Sequence, residues 1–178
     1  MTVGFALRLG VATAETMRRA GHGHPHVLIG MDTRRSGPML AHAAAAGLTS
    51  RGATVTWLGV VPTPGVSYLT RALGADAGLM VSASHNPFHD NGLKLFDANG
   101  EKLSDEVEAS IEELIDQLAA DEHAGLEPIT GAEVGVMEPI DHAPLGGGSK
   151  LDPYFRHLLE NAPYLDGMRV ALDCAHGA

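Results

Sequence analysis

The stretch "HVLIGMDTRRSGPMLAHAAAAGLTSRGATVTWLGVV", residues 26–61, decides the fold. It opens on HVLIGM (26–31), an aliphatic and β-branched run too short for a helix and apolar on both faces, the pattern of a buried strand in an α/β sheet. A polar loop follows from Asp32 to Gly37, and Pro38 suits the first turn of a helix that continues through MLAHAAAAGLTSRG. TVTWLGVV (54–61) is then a second strand. Strand, loop, helix and strand joined by short connections predict a layered α/β domain with a largely parallel sheet flanked by helices.

Working outward, PTPG (62–65) reads as a loop, GVSYLTRALG as a short helix closed by Gly74, and AGLMVS (77–82) as a third strand. LKLF (93–96) is a further strand, which makes the sheet mixed, and the Asn99-Gly100 dipeptide marks a turn. Ser104 caps a helix that carries Val107, Ile111, Leu114, Ile115 and Leu118 on one face. Upstream, residues 5–20 place Phe5, Leu9, Ala12 and Thr16 or Met17 at helical spacing, with Arg18 and Arg19 in the last turn and Gly21 as the stop. Periodicity fades from 121 to 150, where Gly146 to Gly148 read as a flexible connection. Beyond it, Asp152 reads as a cap with Pro153 at the first helical position, YFRHLLENA as a helix, and MRVALD (168–173) as a fresh buried strand. That last strand has no sheet of its own. The expected organisation is therefore a first domain over 1–145 and, over 146–178, a linker with the opening helix and strand of a second, similar domain, so that the polypeptide reads as a fragment.

Composition narrows the function. The 178 residues carry a formal charge of −10 with histidine neutral, and no basic patch offsets it, so a nucleic-acid partner is not expected. A single cysteine, Cys174, has no internal disulfide partner and fits a reducing compartment. No leader-like segment and no apolar run of ~18 residues points to export or membrane spanning, which leaves the cytoplasm as the expected location.

In a mostly parallel sheet the loops at the carboxyl ends of the strands carry the chemistry. Two are rich in it: DTRRSG after the first strand and SASHNPFHDNG after the third. With those strands adjacent, Arg34, Arg35, Ser84, His85, Asn86 and Lys94 converge on one anion, and guanidinium forks plus an ammonium match a phosphate. Ser84 lies outside any G-x-S-x-G elbow, which disfavours a serine hydrolase. On the residues alone, the competing reading of Ser84-His85-Asn86-Pro87 is a turn whose side chains bond their own backbone. Two other clusters compete for attention. His22, His24 and His26 in GHGHPH sit among helix-breaking residues with no nearby Cys, Asp or Glu, so an exposed loop is favoured over a zinc site. Cys174 beside His176 reads as a small buried residue ending a strand rather than as a thiol nucleophile.

The segment VSASHNPFHDNGLKLFDANGEKL closely resembles the active-site serine loop of the α-D-phosphohexomutase family, and its S-A-S-H-N-P-F-x-D-N-G variant resembles the branch that acts on glucosamine phosphates. FALRLG, VLIGMDTRRSGPML, GVVPTPGVSYLTR and VALDCAHGA resemble that family in the same order, so the resemblance covers nearly the whole chain. It implies that Ser84 is a phosphoryl carrier, exchanging its group with glucosamine 6-phosphate or glucosamine 1-phosphate through a bisphosphorylated sugar. It further implies that Mg²⁺ binds an oxygen of the phosphoserine, that His85 and Asn86 shape the loop, that Lys94 assists proton transfer or steadies the transferring group, and that Arg34 faces the same cleft as a phosphate ligand. Phosphomannomutase or phosphoglucomutase chemistry, and a non-catalytic module that merely holds a phosphosugar, are the alternatives. The family's arginine-bearing N-terminal segment, aspartate-rich metal loop and sugar-selecting loops are not in this sequence, so the chain alone is expected to be inactive. The apolar face left uncovered favours a homodimer.

Overall fold

Thr2 accepts a hydrogen bond from the Phe5 amide and so caps the first helix, α1 (Val3–Arg19). The computed structural model describes residues 1–121, 123–138, 147–162 and 164–173. In order there follow β1 (His26–Met31), α2 (Gly37–Ser50), β2 (Thr54–Val60), α3 (Thr63–Ala72), β3 (Ala77–Val81), β4 (Leu93–Phe96), α4 (Asp105–Ala120), a single 3₁₀ turn (Gly131–Glu133) and α5 (Asp152–Asn161).

The sheet order is β2-β1-β3-β4, with β1 parallel to both β2 and β3 and β4 antiparallel to β3. Strand residues alternate between two cores, as the two-residue period requires. Val27, Ile29, Val55, Trp57, Leu79 and Val81 pack under α1, α2 and α4, whereas Leu28, Leu58 and Met80 pack under α3 and α5. The chain thus leaves β1 through α2 on one face to reach β2, then returns through α3 on the other face to β3. This reversal lies between β1 and β3, and the crevice outside the carboxyl ends of those two strands is where such sheets bind ligands.

Two devices hold the first face. Helices α1 and α2 cross at glycine: a Cβ on Gly10 would stand 2.1 Å from the Ala44 carbonyl oxygen, and one on Gly47 2.1 Å from that of Leu7. Beside this crossing Glu15 of α1 accepts from Arg51 Nη2 at 2.7 Å and Nε at 3.1 Å, and from Arg19 Nε at 3.2 Å. Burial pushes the Glu15 carboxyl up, but the hydrogen bonds and charges of Arg51 and Arg19 outweigh it and hold the pKa below its ordinary value of 4.5. The folded state therefore binds the proton less readily than the unfolded state. Its stabilisation is full above the ordinary value and is lost as pH falls through the lowered one. Glu15→Gln is expected to cost about 2 kcal/mol at neutral pH, and the gap to wild type should close as pH drops below the carboxylate range, which urea titrations across pH would measure.

Four local expectations change. Residues 63–65 open α3 rather than forming a loop, because Pro64 in a first turn gives up an amide that would be unpaired anyway. Val107 lies at the exposed margin of α4, whose buried face is Ile111, Leu114, Ile115 and Leu118. Asp152 is the first residue of α5, not its cap, and accepts from the Gly148 amide. Residues 168–173 form no strand: no described strand offers them a ladder, and Val170 and Leu172 are exposed, so apolarity alone does not extend the segment. Helix α5, expected to open a second domain, sends Tyr154 into the core beneath α3 and stacks His157 on Tyr68 at 4.4 Å. The expected boundary at 145/146 and the Cys174–His176 pair lie outside the described residues.

Candidate phosphoryl-transfer site

The parallel pairing of Met31 with Val81 brings the loop after β1 and the loop after β3 side by side. Asp32 and Arg34 come from the first, Ser82 to Gly92 from the second. Asp32 is buried and turns back on its own loop, accepting the Arg34 amide at 3.0 Å through Oδ1, an Asx turn. Its Oδ2 takes Arg34 Nε at 2.9 Å and the Ser82 hydroxyl at 2.7 Å.

The Arg34 side chain is 0% exposed, and each of its five N–H groups is engaged. Beyond the Nε–Asp32 bond, Nη1 donates to the carbonyls of Pro87 (2.5 Å) and Asp90 (3.0 Å), and Nη2 to those of Ser84 (2.7 Å) and Asn86 (2.8 Å). This overturns the expectation that Arg34 is a phosphate ligand in the cleft: it has no donor left for one. It is a clamp that gathers the serine loop around a buried fork. The neighbouring Arg35 is the exposed guanidinium of this loop, with no partner among the described residues.

The clamp orients the loop's dipoles. In a trans peptide the carbonyl and the next amide point in opposite directions, and the described chain has no cis bond. With the Ser84 carbonyl on Arg34, the His85 N–H points outward, and the same holds for Asn91 N–H behind the Asp90 carbonyl. The side of the loop that faces Arg34 is thus lined by carbonyl oxygen, while the His85 and Asn91 amides point away from it, a polarity that suits a phosphoryl group on the far side.

Ser84 itself is exposed and has φ 56°, the left-handed region that L-residues seldom occupy. Its amide donates to Ser82 Oγ at 3.0 Å. His85 is exposed and its imidazole has no partner among the described residues. Asn86 enters the network through its backbone, donating its amide to the Ala83 carbonyl at 3.1 Å and giving its own carbonyl to Arg34. A further side-chain tie between the loops is made instead by Asn91, whose amide group donates to Ser36 Oγ at 2.9 Å. Lys94 stands opposite Met80 in the β3–β4 ladder, exposed and without a partner among the described residues.

Sequence reasoning missed Asp32, Ser82 and Asn91 as site residues. The D-x-R spacing held the signal for the first, because an Asx turn and an Nε contact both fit two residues apart, and S-x-S held a local one for Ser82, whose hydroxyl can accept the amide two residues on; its bond to Asp32 and the Asn91 bond to Ser36 depend on tertiary contact.

Among the described residues no group of three or more His, Cys, Asp or Glu side chains is placed to hold a metal ion. The described residues thus offer a Mg²⁺ ion no ready-made cluster of carboxylates or imidazoles. The three clustered histidines go to separate partners: His22 Nδ1 to Asp76 at 2.9 Å, His24 to the Gly52 carbonyl, and His26 to Thr56 Oγ1.

The sequence profile described as phosphoglucomutase/phosphomannomutase, alpha/beta/alpha domain I, matches residues 1–122. The chain belongs to that family. Among its curated relatives, phosphoglucosamine mutases from Deinococcus deserti and Brevibacillus brevis are each 49% identical, and that of Paracoccus denitrificans 47%, all across 100% of this chain. The chain spans 37% to 38% of the length of these relatives. A crystal structure of a phosphoglucomutase/phosphomannomutase family protein from Burkholderia thailandensis covers 90% of the chain at TM-score 0.65 and 26% identity, matching 32% of its own length. A Thermus thermophilus protein assigned to the phosphomannomutases covers 65% at TM-score 0.60 and 35% identity, over 26% of its own length. As a family member the chain has its layered fold, and among the described residues no helix is long and apolar enough to cross a membrane.

Proposed function

We propose that this chain is the phosphoserine-bearing first domain of a phosphoglucosamine mutase, an isomerase that interconverts glucosamine 6-phosphate and glucosamine 1-phosphate. Ser84 Oγ carries the phosphoryl group, gives it to the free hydroxyl of the bound sugar phosphate, and takes the other phosphate back from the bisphosphorylated sugar. The observation that carries this reading is Ser84 itself: an exposed hydroxyl held at φ 56° over a loop whose carbonyls are turned inward onto Arg34. Curated relatives named phosphoglucosamine mutase support the amino sugar.

Each residue has a task in the transfer. In this reading the His85 amide, turned away from Arg34, donates to a phosphoryl oxygen, Lys94 and Arg35 supply cationic charge at the mouth, and the His85 imidazole exchanges a proton with the incoming hydroxyl. Mg²⁺, when bound, would draw charge from the phosphoryl oxygens, and its remaining ligands belong to other domains. Sugar selection lies there too, so we propose that the isolated chain turns over little.

The test is a chimera in which residues 1–178 replace the matching region of the Deinococcus deserti relative. It should interconvert the two glucosamine phosphates and carry phosphate on Ser84 by peptide mass spectrometry. A chimera that binds phosphosugar tightly yet never bears phosphate on Ser84 would make the loop a binder and not a carrier.

A further inference from the structure

We infer that Ser82 is the positioning residue that holds the phosphoryl-carrying Ser84 in its left-handed conformation. The role rests on the reading of Ser84 given above. Left-handed backbone costs an L-residue roughly 1–2 kcal/mol, so the surroundings must impose it. Two groups of Ser84 are anchored. Its carbonyl is held by Arg34 Nη2 at 2.7 Å, and its amide by Ser82 Oγ at 3.0 Å. Both anchors meet at one atom, because Asp32 Oδ2 accepts from Arg34 Nε and from the Ser82 hydroxyl.

The chemistry of a hydroxyl fits this place. With its proton committed to a buried carboxylate, Ser82 Oγ must present a lone pair, and the Ser84 amide receives it. Ser82 is 4% exposed, so water does not readily replace it. Its own backbone is fixed as well, the amide donating to the Gly92 carbonyl across the base of the loop at 2.9 Å. Alanine could neither accept nor donate here, and valine would fill the space without the bond. Threonine keeps both functions. Ser82 thereby sets the direction of the Ser84 Cα–Cβ bond, and with it the line along which Oγ meets a sugar hydroxyl.

The experiment compares Ser82→Ala, Ser82→Val and Ser82→Thr in the ¹⁵N-labelled 178-residue chain, reading the Ser84 amide hydrogen-exchange rate and its HN–Hα coupling. In the first two variants Ser84 should exchange about tenfold faster and lose the left-handed coupling while core strand amides stay protected; threonine should restore both. In the chimera, kcat should fall about tenfold to a hundredfold with KM little changed, again restored by threonine. Unchanged exchange and coupling at Ser84 in Ser82→Ala, or their loss in Ser82→Thr, would overturn the assignment. A chimera inactive with Ser82 intact would instead count against the mutase reading, since the backbone measurements do not depend on it.

Discussion

Arg34→Ala will destabilise the protein by about 3–5 kcal/mol and leave the Ser84 loop without a fixed shape. The side chain removed is 0% exposed and serves four backbone carbonyls and one buried carboxylate. Alanine would leave Asp32 charged without its ion-pair partner, and a buried acceptor stranded in this way costs more than the bond was worth. Arg34→Lys sharpens the point. An ammonium keeps the charge but offers three donors from one nitrogen, whereas here five are spread over a planar fork. The lysine variant should therefore lose most of the same stability in urea unfolding, with the amide resonances of residues 83–91 broadened or doubled. Were Arg34 a ligand of the substrate phosphate, Arg34→Lys would leave stability intact and weaken phosphosugar binding alone. That outcome is the one to look for against the clamp.

The contrast between these two roles shows where sequence reading stops. The strands were legible because a sheet covered on both faces calls for short, continuously apolar runs between turn residues; His26–Met31 and Ala77–Val81, buried along nearly their whole length, follow from that directly. The Ser104 cap of α4 was equally legible, since a hydroxyl one residue before an acidic first turn answers a local need for acceptors, here met at the Val107 amide. Arg34 reads from sequence as a phosphate ligand, whereas its five donors go to Asp32 and the serine loop. An arginine in a polar loop beside a phosphate-type motif reads as solvent-facing, and only the adjacency of β1 and β3 reveals carbonyls waiting for it. The same limit applies to residues 168–173, whose apolar pattern suits a strand in any sheet that would pair with it. Helix α5 is the reverse case: its amphipathic pattern was plain, but which surface it covers was a matter of tertiary contact.

Ser84 is where backbone and chemistry can be pulled apart, and three substitutions in the chimera do so. Ser84→Ala should abolish transfer, a loss on the order of a thousandfold or more, because no other hydroxyl is offered at that point of the loop. Its stability should stay near wild type, since alanine bears the same left-handed cost. Ser84→Gly should be as inactive but melt higher than Ser84→Ala by an amount equivalent to about 1 kcal/mol, because glycine occupies φ 56° without a Cβ penalty. Ser84→Thr keeps the hydroxyl and adds a branch at Cβ, which the left-handed region tolerates poorly. It should retain some transfer while losing stability. A strained residue that gains stability on losing its function marks a site kept for its chemistry. Equal melting of the glycine and alanine variants would show that nothing is stored there, and the loop geometry would then have no claim on the reaction.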